Sequence, residues 1–249
     1  MATRMKVLLD SNSLQVAVHL GLHSSPKAKD TCGKRLSTFL SIIKGLGCDI
    51  AFTEDESRTI TNNLLIDCSV LVITTRRPSL PKPSETELET IRQFVQRGGS
   101  LLLMSNHPWP QMSNPIPDIH TASLFHATLS GPIYKQRRFT RKLIQIRGDD
   151  LRQHPITDGL KGPIVFKNGC RISTNAGDII AMLPGEKYEP NIFAVAVDEP
   201  QKGKGRVVVT ADSGFIADDD TNFPGQGLIH RGSNMRFIRQ IFEWLLKQR

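Results

Sequence analysis

The feature that most constrains the fold is a recurring run of consecutive apolar residues, each stopped by a polar turn. The runs are Val7-Leu8-Leu9, residues 69–74 (SVLVIT), 100–104 (SLLLM) and 205–210 (GRVVVT). A strand that is apolar without alternation has both faces buried, the usual setting of a parallel sheet covered by helices on each side. Between the runs, Leu36, Phe39, Leu40, Ile43 and Leu46 recur at helical spacing over 33–46, as do Leu88, Ile91, Phe94 and Val95 over 84–97. The second helix opens on Ser84-Glu85-Thr86-Glu87. This is a capping box, in which the serine accepts an amide of the first turn and Glu87 is expected to reach back to the serine amide. Gly98-Gly99 closes the helix, because glycine enters the left-handed conformation without a Cβ clash.

The remaining segments are less regular. Residues 14–32 show no clear period and read as a long loop, 49–53 as a short strand, and 59–67 as a short helix or turn. Residues 108–130 are rich in Pro, Ser, Asn and His, with a short helix expected at 122–127. Strands are expected near 142–147, 164–166, 178–183 and 192–197, separated by Gly- and Pro-containing turns. Phe237, Ile238, Ile241, Phe242, Leu245 and Leu246 make 233–247 an amphipathic final helix. The alternation predicts an α/β fold: three layers around a doubly wound, mostly parallel, flavodoxin-like sheet. Residues 1–249 are read as a single domain, with a β-rich insertion at about 131–200 packed on the sheet edge.

Composition narrows the class further. The 249 residues carry 32 Lys and Arg against 24 Asp and Glu, a net charge of +8, with 39% apolar and 22% charged residues. Such a chain can bury a core and is not of the disordered class. No apolar run approaches the ~18 residues of a membrane span, and the apolar start is too short for a secretory signal, so no membrane association is expected. Cys32, Cys48, Cys68 and Cys170 fit no metal-binding spacing. Free thiols and a cytoplasmic location follow as expectations. Basic residues gather at Lys135, Arg137, Arg138, Arg141 and Lys142, and in the last helix at Arg236, Arg239, Lys247 and Arg249. They allow a nucleic-acid reading, but aromatic stacking residues are few, with 2 Tyr and 2 Trp, and a solvated positive face explains them as well.

In open parallel sheets, ligands bind beyond the carboxyl ends of the strands, near the switch in strand order. The residues expected at that edge are Asp10, Ser11 and Asn12 after the first strand and Thr74, Thr75, Arg76 and Arg77 after the third. Ser105, Asn106 and His107 follow the fourth, and Asp212 and Ser213 the last. Asp10, Asn12, Thr75, Ser105, Asn106, His107, Asp212 and Ser213 are the ligand-binding candidates, with Asp10, Ser105, His107 and Asp212 converging and partly open to solvent. Against this stands the ordinary use of Asp, Ser and Asn as turn formers. Asp218, Asp219, Asp220, Asn222 and His230 hold oxygen and nitrogen ligands, but consecutive aspartates do not all converge on one ion. A solvated acidic loop is the simpler reading, and neither metal nor cofactor is expected.

Three stretches resemble a known group: GGSLLL with its short polar turn, GKGRVVVTADSGFIADDD, and SNMRFIRQIFEWLL. Together they resemble the class I glutamine amidotransferase-like superfamily. The similarity is greatest to its non-glutaminase branch, which includes domains of gliding-motility transporter auxiliary and intraflagellar transport proteins and, more distantly, trehalose-utilisation-type proteins. In that branch a Gly-Asp-Ser-like turn follows the late strand and an Asn opens the terminal helix; here the positions are Ala211-Asp212-Ser213 and Asn234. The segment His154-Pro155-Ile156-Thr157-Asp158-Gly159 also resembles one common in the superfamily, with a structural role implied. A glutaminase needs a cysteine on the strand-to-helix elbow and a histidine to deprotonate it. The elbow here is Ser105-Asn106-His107, and Asp212-Ser213 stands where the His-x-Glu would be. The resemblance therefore implies an amidotransferase-like domain without glutaminase chemistry, acting as a small-molecule, carbohydrate-binding or protein-interaction module. The alternative is a hydrolase of the same fold using a Ser/His/Asp or metal-assisted site at this edge.

Overall fold

The structure is a computed structural model and describes residues 4–22, 33–53, 59–77, 81–106, 118–132, 143–167, 169–184, 191–198, 205–218 and 227–246. The apolar runs form β1 (Lys6–Leu9), β3 (Val70–Thr74), β4 (Ser100–Met104) and β11 (Arg206–Thr210), joined at one edge by β2 (Asp49–Phe52). These five are mutually parallel in the order β2-β1-β3-β4-β11. Burial explains their composition: every residue of β3 and β4 is buried.

The order sets the layers. The chain leaves β1 toward one side through α2 (Ser37–Gly45) to β2, and leaves β3 toward the other through α4 (Glu85–Gln96) to β4. Right-handed crossovers in opposite directions place their helices on opposite faces. The packing agrees: α2 lies against the last helix, α6 (Asn234–Leu246), whereas α4 lies against α3 (Asn62–Leu65) and α5 (Asp118–Ser123). Phe39 and Phe242 meet edge to face at 5.6 Å between the first pair. Burial of Phe237, Ile238, Ile241, Phe242 and Leu245 docks α6; at about 2 kcal/mol per side chain this outweighs any cap.

Beyond β11 the sheet continues. β10 (Ile192–Asp198) pairs antiparallel with β11, then β8 (Cys170–Thr174) with β10 and β5 (Ala127–Pro132) with β8, while β9 (Asp178–Met182) also pairs with β10. In direction, β1–β4, β8, β9 and β11 point one way and β5 and β10 the other, so the nine-stranded sheet is mostly parallel in sense. The β-rich segment thus adds its strands to the β11 edge of the parallel sheet. β6 (Ile144–Ile146) and β7 (Ile164–Phe166) form a separate two-stranded ribbon.

Three local expectations are corrected. The stretch from residue 14 is not all loop: α1 (Leu14–His19) occupies its start, with Gln15, Val16, Ala17 and Val18 buried. A helix buried on all sides has no amphipathic period to read. The helix expected at 122–127 is α5, four residues earlier, and the chain turns at His126 (φ 61°) into β5. β5 and β8 escape the periodicity argument because their sequences, ATLSGP and CRIST, are short and polar.

The glycines in the resembling stretches have a packing role. A Cβ on Gly205 would lie 1.6 Å from the Gly99 carbonyl oxygen, and one on Gly99 would enter the Phe94 ring at 2.2 Å. Gly205 N–H also donates to the Val95 carbonyl at 2.7 Å. The two motifs therefore meet where β4 and β11 begin, with backbones too close for side chains. Asn234 is equally structural: its Oδ1 accepts from the Val165 amide at 2.8 Å, and its Nδ2 donates to the carbonyls of Val165 and Leu228, both at 2.7 Å.

Candidate functional site

With β1 and β3 adjacent and their crossovers diverging, the switch in strand order lies between them, and a crevice would open above Asp10 and Thr75. The chain fills that place itself. Residues 10–13 fold across the end of β3: Ser13 Oγ accepts from the Thr74 amide at 2.9 Å, Ser13 forms a bridge with Arg76, and the Arg77 amide donates to the Asn12 carbonyl at 3.3 Å. Ser11 hydrogen-bonds the backbone and hydroxyl of Thr53 after β2.

At the centre is Arg76, 4% exposed. Its Nε donates to Asp10 Oδ2 at 2.9 Å and its Nη2 to Glu87 Oε1 at 2.7 Å. Burial pulls the guanidinium down, but Asp10, Glu87 and Asp118 around it hold it above the usual arginine range. Glu87 therefore does not complete the capping box. The Ser84 hydroxyl does accept from the Glu87 amide at 3.1 Å, but the Glu87 carboxylate turns inward to Arg76 and the Ile60 amide. A buried cation is a stronger partner than an exposed amide.

The candidates after β4 and β11 join the same region. Ser105 Oγ donates to Asp118 Oδ2 at 3.2 Å, and the Arg76 amide approaches both Asp118 oxygens at 3.3 Å. Asn106 Nδ2 donates to Asp212 Oδ1 at 3.1 Å, and Thr75 Oγ1 lies 2.6 Å from Ser213 Oγ. Asp212 also caps the short 3-10 turn Gly214–Ile216, accepting the Gly214 amide at 3.0 Å. Since Thr75 adjoins Arg76 and Ser105 adjoins Asn106, the contacts form one continuous network linking Asp10, Asn12, Thr75, Ser105, Asn106, Asp212 and Ser213. His107 lies outside the described residues. At the three described members of that expected opening there is no exposure to solvent: Asp10 and Ser105 are 0% exposed and Asp212 is 1% exposed, with Asn106 half-buried beside them.

Electrostatics makes the network unusual. Burial pushes Asp118 up to about 7, against the pull of Arg76 and the Ser105 hydroxyl. It pushes Asp212 up to about 7 as well, against the amides of Gly214, Ser213 and Phe215. Asp212 Oδ2 is buried with no hydrogen-bond partner among the described residues. Cys170, fully buried beside Ser105, is pushed up to about 12 by burial; it is a thiol at neutral pH, not a nucleophile.

Sequence reasoning singled out neither Glu87, Asp118 nor Cys170 for this region. Glu87 was legible only as a cap, and Asp118 sits in a polar stretch with no periodic signal. Asp218, for its part, works as a distant cap: its Oδ2 accepts the Thr38 amide of α2 at 2.8 Å, and its Oδ1 meets His230 Nε2 at 3.1 Å. Asp219, Asp220 and Asn222 lie outside the described residues, among which no group of three or more His, Cys, Asp or Glu could hold a metal. Surface clefts lined by described residues lie away from this edge, among them one of about 680 Å³ beside Glu85, Glu89 and Leu124 and one of about 460 Å³ beside Ile66, Cys68 and Arg97.

No protein-family model and no curated protein matches the chain. Solved structures do. The mmIFT52 N-terminal domain superposes with a TM-score of 0.69 at 14% identity, covering 96% of each chain. A cytoplasmic protein of Salmonella typhimurium LT2 gives 0.60 at 12% identity, covering 98% of this chain and all (100%) of that one. A ThuA-like protein from Bacteroides uniformis ATCC 8492 gives 0.56 at 13%, covering 98% and 92%. At these identities the likeness is one of fold: the chain shares the α/β fold of these structures, built on a mostly parallel sheet.

Proposed function

We propose that this chain is a single non-glutaminase amidotransferase-like domain that acts as a protein-interaction module. The observation supporting it is that Asp10, Asn12, Thr75, Arg76, Ser105, Asp212 and Ser213 at the carboxyl edge of the sheet are buried and bonded within the edge, with Asn106 half-buried among them. A small-molecule or carbohydrate site in this fold needs such groups presented to a cleft; here Arg76 takes the hydrogen bonds a ligand would take. The similarity to the mmIFT52 N-terminal domain over 96% of both chains fits the same reading. A cytoplasmic setting suits the free thiols of Cys48, Cys68 and Cys170.

A second reading, a hydrolase, draws on one feature. Asp212 has an unpartnered oxygen and is pushed up to about 7, the range of a general base. Among the described residues no nucleophile is bonded to it: its partners are the Asn106 side-chain amide and the Gly214 backbone amide, and the Ser105 hydroxyl is given to Asp118.

Incubation with L-glutamine should release no ammonia, and a cysteine-reactive glutamine analogue should leave Cys170 and Cys68 unlabelled. The endogenous protein should elute in size-exclusion chromatography as part of a larger complex. Elution as a free monomer that turns over glutamine, or hydrolyses an ester with loss of activity in Asp212→Asn, would replace this reading.

A further inference from the structure

Two acids hold one dipeptide by its two adjacent side chains. Asp118 on α5 takes the Ser105 hydroxyl at 3.2 Å, and Asp212 after β11 takes the Asn106 amide group at 3.1 Å. Both acids are buried, at 0% and 1% exposure. The charges around them do not balance. Arg76 is already bridged to Asp10 and Glu87, so an ionised Asp118 is a third negative charge about one positive. Asp212 has no ion pair among the described residues, and its Oδ2 accepts no hydrogen bond. Among the described residues, the un-ionised thiol of Cys170 also neighbours both acids. A carboxyl buried without a counter-charge keeps its proton, because the ion is far costlier to desolvate than the acid.

We propose that Asp118 and Asp212 form a proton-operated latch on the Ser105-Asn106 turn: protonated, they hold the turn against α5 and the β11 end, and loss of both protons loosens that edge of the sheet. The groups facing Asp118 are Arg76 and its amide from the end of β3, Asp10 from β1, Ser105 from β4 and Cys170 from β8. Those facing Asp212 are Asn106, the amides of Ser213, Gly214 and Phe215, and Cys170. Among the described residues facing the two acids only Arg76 is cationic, and it is shared with two other acids. This arrangement stands apart from the interaction reading and holds whatever the edge contacts.

The sign of the effect follows from linkage. Both acids are raised from 3.8 to about 7 in the folded protein, so the folded state holds protons that the unfolded chain has released. Their contribution to stability is full below about pH 4 and is lost as pH rises through about 7. The test is the melting temperature of the full chain between about pH 6 and pH 8.5, together with the infrared band of protonated carboxyl groups. We expect Tm to fall by about 5–10 °C over that range. Asp118→Asn and Asp212→Asn, which mimic the protonated acids, should each remove about half of the fall, and the double variant should abolish it. The infrared band should be present at the acidic end, bleach at the alkaline end and be absent from the double variant. An unchanged or rising Tm, or a fall that survives in the double variant, overturns the proposal. If the double variant does not fold, a wild-type spectrum without the protonated band at the acidic end overturns it equally.

Discussion

Replacing Arg76 with alanine is expected to destabilise the protein by about 3–5 kcal/mol, the cost of leaving buried charges without their partner. The deletion strands Asp10 and Glu87, its two ion-pair partners, which are 0% and 5% exposed. It also removes the link between the ends of β1 and β3 and the start of α4. At about 2–4 °C per kcal/mol for a chain of this size, Tm should drop by roughly 10 °C. Two controls separate loss of charge from loss of packing. Ethylguanidinium, at concentrations that leave the wild type untouched, should return part of the lost Tm, because the cavity keeps its acidic walls. Arg76→Lys should fall in between, since one ammonium does not reproduce the fork that spans Asp10 and Glu87. An alanine variant as stable as the wild type would mean that the carboxylates are not buried around this cation.

The second large effect is steric. Gly205→Ala should cost about 4 kcal/mol or more and reduce soluble yield, because its Cβ would sit 1.6 Å from the Gly99 carbonyl oxygen and 2.5 Å from its carbon. Backbone rather than a flexible side chain is in the way, so relief requires separating β4 from β11, neighbours in the centre of the sheet. Gly45→Ala is the matched control: it ends α2, has nothing within 4 Å of the new Cβ, and should be neutral or stabilising by up to about 1 kcal/mol. Chemical denaturation of the two variants side by side distinguishes a packing glycine from one that only relaxes a helix end.

The parallel core was legible because burial on both faces writes itself as uninterrupted runs such as SVLVIT, and because the helix over 84–97 carries its apolar face at regular spacing. The edge residues were legible as a group for a geometric reason: parallel strands deliver whatever follows them to the same end. Their state was not. Whether Asp10 faces water or Arg76 depends on how residues 10–13 close over β3, and nothing local to that tetrapeptide encodes it. Arg76 read as an ordinary polar residue after a strand, and Glu87 as a cap. Asp118 became part of the edge only through α5, whose sequence has no period. α1 was missed for the converse reason, being buried too completely to show an amphipathic pattern. The glycines of GGSLLL and GKGRVVVT stood out as motif residues, but their cause is a backbone contact between two strands more than 100 residues apart in sequence.

Amide hydrogen exchange at the carboxyl edge tests the central claim, that this place is filled by the protein's own side chains. The informative amides are Thr74, donating to Ser13 Oγ; Arg76, donating to Asp118; and Gly214, donating to Asp212 Oδ1. They should exchange as slowly as the interior amides of β3 and β4, by global unfolding, and millimolar L-glutamine or hexose should leave their rates unchanged. Rapid exchange at Thr74 and Arg76 while the strands remain protected, or slowing at these amides alone when a small molecule is added, would show an open, ligand-accepting crevice and contradict the account.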